Sequence, residues 1–92
     1  MPQNTLIVVP ANTPTLLTDA TVTALTFQVS GGFPIRIQGT VGATPPSTWG
    51  PTYNSGQGEA NRAIADLFPG VSGANRVYAY AEIATTVWVS HA

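Results

Sequence analysis

Lysine and cysteine are both missing from this chain, and each absence removes a class of explanation. Without cysteine there is no disulfide framework, no thiolate metal site and no thiol nucleophile, so packing or a neighbouring subunit must hold the fold together. Without lysine the cations reduce to Arg36, Arg62 and Arg76, scattered along a chain of net charge −1. Binding duplex nucleic acid by phosphate neutralisation requires a basic patch, and none is present. No apolar run approaches the ~20 residues that span a bilayer, so no membrane partner is expected. Met1-Pro2-Gln3-Asn4 carries no basic n-region, and Leu6-Ile7-Val8-Val9 is too short for the apolar part of a signal peptide, which points to synthesis and use in the cytoplasm, or release by lysis. No Asn-x-Ser/Thr acceptor occurs.

Charge of either sign is scarce. Seven of 92 residues are charged, whereas a free-living soluble domain carries roughly 25%. Charged side chains keep exposed sheet edges from pairing with one another. A β-rich chain with so few of them either solvates its surface with Thr, Ser, Asn and Gln or keeps much of that surface against other protein. The second reading makes it an assembly component.

What is present reads as one domain, residues 1–92, built from short strands, with residues 1–15 as an extended arm. Leu6 to Val9 is a continuous apolar run between Asn4 and Pro10, suited to a strand buried on both faces, an arm laid on a neighbour, or an ordinary first strand. Pro10, Asn12 and Pro14 then exclude helix. From Thr21 to Ser30 the alternation changes phase, because Val22 and Ala24 have one parity and Leu25, Phe27 and Val29 the other; a β-bulge near Ala24-Leu25 would absorb the shift. Gly31-Gly32 predicts a tight, positive-φ hairpin into a return strand where Ile35 and Ile37 alternate with Arg36 and Gln38. Residues 39–61 concentrate Gly and Pro around Trp49 and Tyr53, as a long binding or interlocking loop does, although Trp49 could equally fold back over one end of the core. Asn61 is placed to cap a helical turn over Arg62 to Phe68 that Pro69-Gly70 stops. A second hairpin is predicted from Arg76 to Ile83 and Thr86 to Ser90. Within it Val77, Ala79 and Ala81 oppose Tyr78 and Tyr80, and Val87 and Val89 oppose Trp88, so both faces are apolar or aromatic.

Catalytic and ligand motifs are thin. His91 is the only histidine, read as a polar last residue of an edge strand; with Asp19 or Asp66 it could form a triad only without a nucleophile elbow. Asp19, Glu59, Asp66 and Glu82 are too dispersed to suggest glycosidase carboxylates or a Ca²⁺ loop. Gly56-Gln57-Gly58-Glu59-Ala60-Asn61 lacks the third glycine, the lysine and the βαβ frame of a phosphate loop, and reads as a tight turn. No enzyme activity, cofactor or metal is expected. Exposed aromatics, Trp49 with Tyr53 or Tyr78 with Tyr80 and Trp88, could stack on sugars, but Tyr and Trp are equally the anchors of protein interfaces.

Three stretches together, Ile37-Gln38-Gly39-Thr40-Val41-Gly42-Ala43-Thr44-Pro45-Pro46, Ala65-Asp66-Leu67-Phe68-Pro69-Gly70-Val71, and Arg76-Val77-Tyr78-Ala79-Tyr80 with the closing Val87-Trp88-Val89-Ser90-His91-Ala92, resemble small structural proteins encoded in tailed-bacteriophage head gene clusters. The likeness is one of style and segment order over the last sixty or so residues, and no catalytic or ligand motif comes with it. It implies an all-β accessory protein on the capsid lattice that clamps neighbouring capsomers. The combined expectation is an antiparallel β-sandwich or small barrel of about seven strands with one short helix. It would act as a capsid decoration or cement protein on the virion surface, made in the host cytoplasm. Its expected partners are the major capsid protein and further copies of itself, as a trimer. Leu6, Ile7, Val8, Val9, Trp49, Tyr53, Tyr78, Tyr80 and Trp88 are the expected interface residues. The alternatives are a head-fibre, spike or tail component and, from another class, a carbohydrate-binding module.

Overall fold

The structure, a computed structural model, describes residues 3–18 and 21–91. Eight strands and one helical turn follow in the order β1 (Gln3–Val9), β2 (Thr15–Leu16), β3 (Ala24–Val29), β4 (Ile35–Thr40), β5 (Thr52–Tyr53), β6 (Gly58–Ala63), α1 (Ile64–Leu67), β7 (Arg76–Tyr80) and β8 (Thr85–His91). They form two four-stranded antiparallel sheets, β1-β8-β3-β6 and β2-β7-β4-β5. The fold is an all-β sandwich with one short helix.

Inward faces follow the period-two pattern. Leu25, Phe27 and Val29 of β3 and Val87 and Val89 of β8 meet Ile35 and Ile37 of β4 and Val77 and Ala79 of β7, all essentially without solvent exposure. This is the face-to-face packing of two sheets, each with one apolar side. Val9, Leu17, Ile64 and Phe68 complete the core.

Both expected hairpins are absent, for one reason. Strands β3 and β4, and likewise β7 and β8, lie in different sheets. The chain crosses from one sheet to the other between the members of each pair, and their apolar sides both turn into the core, so adjacent segments stack instead of pairing. Gly31-Gly32 is accordingly not a positive-φ turn; left-handed glycines are Gly42, Gly56 and Gly73. Gly31 is instead a close approach to β8: its N–H donates to Thr86 O at 3.1 Å, and a Cβ there would lie 2.6 Å from Thr86 N.

The expected arm is also corrected. Residues 3–9 pair along their whole length with β8, from Gln3 opposite His91 to Val9 opposite Thr85. β1 is therefore an edge strand, buried on one face only: Val9 is in the core and Ile7 packs against it, while Leu6 and Val8 point outward. Because β8 lies inside its sheet, His91 is a buried residue of an interior strand and not the end of an edge strand. Residues 39–61 are not one irregular loop either; β5 and β6 take up part of the stretch and leave 41–51 as the loop proper.

The phase change ahead of β3 occurs at a bend at Thr23, and β3 itself alternates without interruption. A bulge does lie beside it, but the extra residue is on β6: Leu25 pairs with Arg62 and Phe27 with Glu59. Asn61 sits in this bulge with φ +46°, its N–H donating to Thr26 Oγ1 at 2.8 Å. Asparagine tolerates that left-handed conformation, which is why it serves here and not as a helix cap. The helical turn starts after Ala63 with no side-chain cap, and Arg62 belongs to β6. Ile64 of the turn and Phe68, which follows it, dock onto the core, as the spacing of Ile64, Leu67 and Phe68 predicts.

Phe68 packs against the bare backbone of Gly39, where a Cβ would fall 2.6 Å from Cδ2 and 2.9 Å from Cγ of the ring. Gly39→Ala is expected to cost ~1–3 kcal/mol by overpacking. Gly32→Ala, with nothing within 4 Å, is expected to stay within about 0.5 kcal/mol of the parent. Urea unfolding of the two variants checks the contrast.

Candidate functional site

The two outer faces of the sandwich differ. Over β7 and β4 the Gly/Pro-rich loop 41–51 folds back onto its own sheet. Gly50 N–H donates to Ile37 O at 2.8 Å and Ile37 N–H to Pro51 O at 3.1 Å. Arg36, which the alternation places outward, donates from Nη2 to Trp49 O at 2.7 Å and from Nε to Gly50 O at 3.2 Å. Beneath the loop, the Tyr78 hydroxyl donates to Ala43 O, and its ring is only 5% exposed. Trp49 lies on Tyr80, centroids 5.3 Å apart and planes 34° from parallel, while the Tyr80 hydroxyl bonds Asn12 Oδ1 at 2.9 Å.

Over β1 and β8 large apolar side chains stay exposed. Leu6 and Trp88 are directly opposite one another across the two strands and Val8 follows two positions on. They are 56%, 37% and 63% exposed. This patch borders the free edge of β1, whose seven residues Gln3-Asn4-Thr5-Leu6-Ile7-Val8-Val9 carry no charge and no proline. An uncharged, unpaired edge leaves a row of backbone donors and acceptors open to another strand.

The nine residues named from the sequence therefore divide into unlike groups. Leu6, Val8 and Trp88 form one exposed patch. Trp49 and Tyr80 meet on the opposite side of the molecule, since β7 and β8 belong to different sheets. Tyr78, Tyr80 and Trp88 do not share a face. Ile7, Val9 and Tyr78 are given over to the protein's own packing. Tyr53 is too: its ring meets Phe27 edge-on at 4.9 Å and 84°, and its hydroxyl donates to Glu59 Oε2 at 3.0 Å. It thereby joins β5 of one sheet to β3 and β6 of the other.

Sequence reading missed a cleft beside Trp49. Phe33 and Ile83, in the two segments that cross between sheets, are 44% and 54% exposed. With Arg36, Thr52, Tyr80 and Glu82 they border a cavity of about 300 Å³. The available signal was a large apolar residue at each crossing, where turn-forming residues are the norm.

Among the described residues no group of three His, Asp or Glu side chains is placed to hold a metal ion, and no helix is long and apolar enough to cross a membrane. Asp19 lies outside the described residues. Comparison with protein-family models, with curated proteins and with solved structures finds no match.

Burial, followed by the hydrogen bond to Glu59 and its negative charge, pushes the Tyr53 hydroxyl up to about 12 from the ordinary 10.0, with Arg62 acting weakly the other way. A raised acid pKa means that the folded state holds its proton longer than the unfolded one. The associated stability is complete below pH 10 and is lost as pH rises to about 12. Spectroscopic titration of tyrosinate is expected to show a late component that disappears in Tyr53→Phe, and the variant should lose less stability over that interval.

Proposed function

We propose that this protein is a virion structural component, a decoration or cement protein that binds the major capsid protein of a tailed-phage head and reinforces the shell. The observation that carries this reading is the free, uncharged edge of β1 beside the bare Leu6, Val8 and Trp88 patch. Such a combination exposes both unpaired backbone and contiguous apolar surface, the two features that isolated β domains suppress. The scarcity of charge over the whole chain and the resemblance of its segments to phage head accessory proteins support the same reading.

The physical mechanism is an apolar contact that spans capsid subunits. Separating the subunits re-exposes that surface, at ~25 cal/mol for each Å² of apolar area. One copy contributes little, but repetition over a lattice opposes expansion and rupture cumulatively, and self-association of the protein would multiply each attachment.

Co-sedimentation with undecorated capsid shells tests this. The parent protein is expected to bind in high copy number, whereas attachment at a dozen or fewer sites would indicate a fibre, spike or tail part instead. Leu6→Asp with Val8→Asp should weaken binding at least about thirtyfold, the effect of losing an interface anchor worth ~2 kcal/mol. Undiminished binding by that folded variant, or none by the parent to either compact or expanded shells, would overturn the reading.

A further inference from the structure

We infer that the cleft beside Trp49 is a binding site for a neutral pyranose sugar. It lies on the face opposite the Leu6, Val8 and Trp88 patch and is independent of capsid attachment.

Six segments converge on it. β4 and β7 supply Arg36 and Tyr80, the loop and β5 supply Trp49 and Thr52, and the two inter-sheet crossings supply Phe33 and Glu82. At about 300 Å³ it stands at the lower end of the roughly 300–1,000 Å³ typical of small-ligand sites, room for a compact ligand such as one sugar ring. Its walls are pre-organised. Trp49 is stacked on Tyr80, its backbone is held by Arg36 Nη2, and Tyr80 is anchored through its hydroxyl to Asn12. Little conformational freedom remains to be lost on binding.

The polar groups choose the ligand class. Arg36 brings a positive charge and Glu82 a negative one, and among the described residues Glu82 has no ion-pair partner. Arg36 has engaged Nε and Nη2 with carbonyls, leaving Nη1 as a further donor. A cationic ligand would meet the guanidinium and an anionic one the carboxylate. A purely apolar side chain would strip water from both and return no hydrogen bond. A neutral polyol avoids all three penalties: its hydroxyls donate to Glu82 and accept from Arg36 and Thr52, while its C–H face lies on the indole. The pairing is of Trp49 with Tyr80, two aromatics brought together by the returning loop although 31 positions apart in sequence.

The test is a titration of the full chain, labelled with ¹⁵N, with methyl glucoside, methyl galactoside, methyl mannoside and N-acetylglucosamine. The two tryptophans provide an internal control. The Trp49 indole N–H is expected to shift saturably with at least one sugar while that of Trp88, on the other sheet, stays fixed. Glu82→Ala, at an exposed position, should weaken that binding at least about tenfold, equivalent to ~1.4 kcal/mol, and added salt should leave it unchanged. Trp49→Ala, followed through the Tyr80 ring signals, should abolish it. Three outcomes would overturn the inference: no saturable shift with any of the four sugars, equal shifts at both indoles, or affinity unaltered by Glu82→Ala. Saturable binding of arginine or lysine methyl ester in place of the sugars would do so as well, by assigning the cleft to a cationic side chain. Capsid co-sedimentation of Glu82→Ala should match the parent, so failure here is distinct from failure of the decoration reading.

Discussion

Two apolar faces closing on each other across the sandwich are the constraint from which the rest of the architecture follows. Leu25, Phe27 and Val29 on one side and Ile35, Ile37, Val77 and Ala79 on the other are buried between the sheets, and strands next to each other in sequence go to opposite sheets. Every consecutive pair of strands except β4 and β5 does so. The crossings then need special residues. Gly31 allows the backbone to pass close to Thr86, Tyr53 ties one sheet's edge to the other through Phe27 and Glu59, and α1 closes an end by seating Phe68 on Gly39. With no disulfide available, these contacts and the core between them are what hold the layers together.

Alternation was legible in the sequence, and pairing was not. Period-two spacing groups Leu25, Phe27 and Val29, Ile35 and Ile37, Val77 and Ala79, and Val87 and Val89 each on one side of its strand, because alternation along a pleated strand is a local property, and the structure turns all of these sides inward. Which strand lies beside which is not local. Gly31-Gly32 carries the composition of a hairpin turn, yet β3 and β4 go to opposite sheets and pair with β8 and β7, segments far along the chain. The same ambiguity misled the reading of Tyr78, Tyr80 and Trp88 as one face. For the candidate surfaces, Leu6, Val8 and Trp88 could be named from composition. The cleft could not, since Phe33, Arg36, Trp49, Tyr80 and Glu82 meet only after the loop has folded back.

The molecule is consequently two-sided. On the β2-β7-β4-β5 sheet the protein covers its own aromatics, spending Arg36 and the hydroxyls of Tyr78 and Tyr80 on backbone and side-chain acceptors. On the β1-β8-β3-β6 sheet Leu6, Val8 and Trp88 are left bare. The two faces therefore differ in how far the protein covers its own apolar side chains.

The pairing of β1 with β8 sets an order of events during synthesis. Residues 3–9 leave the ribosome ahead of their neighbour and receive it only when residues 85–91 have emerged. Until then Leu6-Ile7-Val8-Val9 travels as an unpaired, uncharged, β-prone segment of the kind that nucleates aggregation. Yield of the folded protein in cells therefore depends on how quickly the residues between these two strands are made relative to encounters between nascent chains.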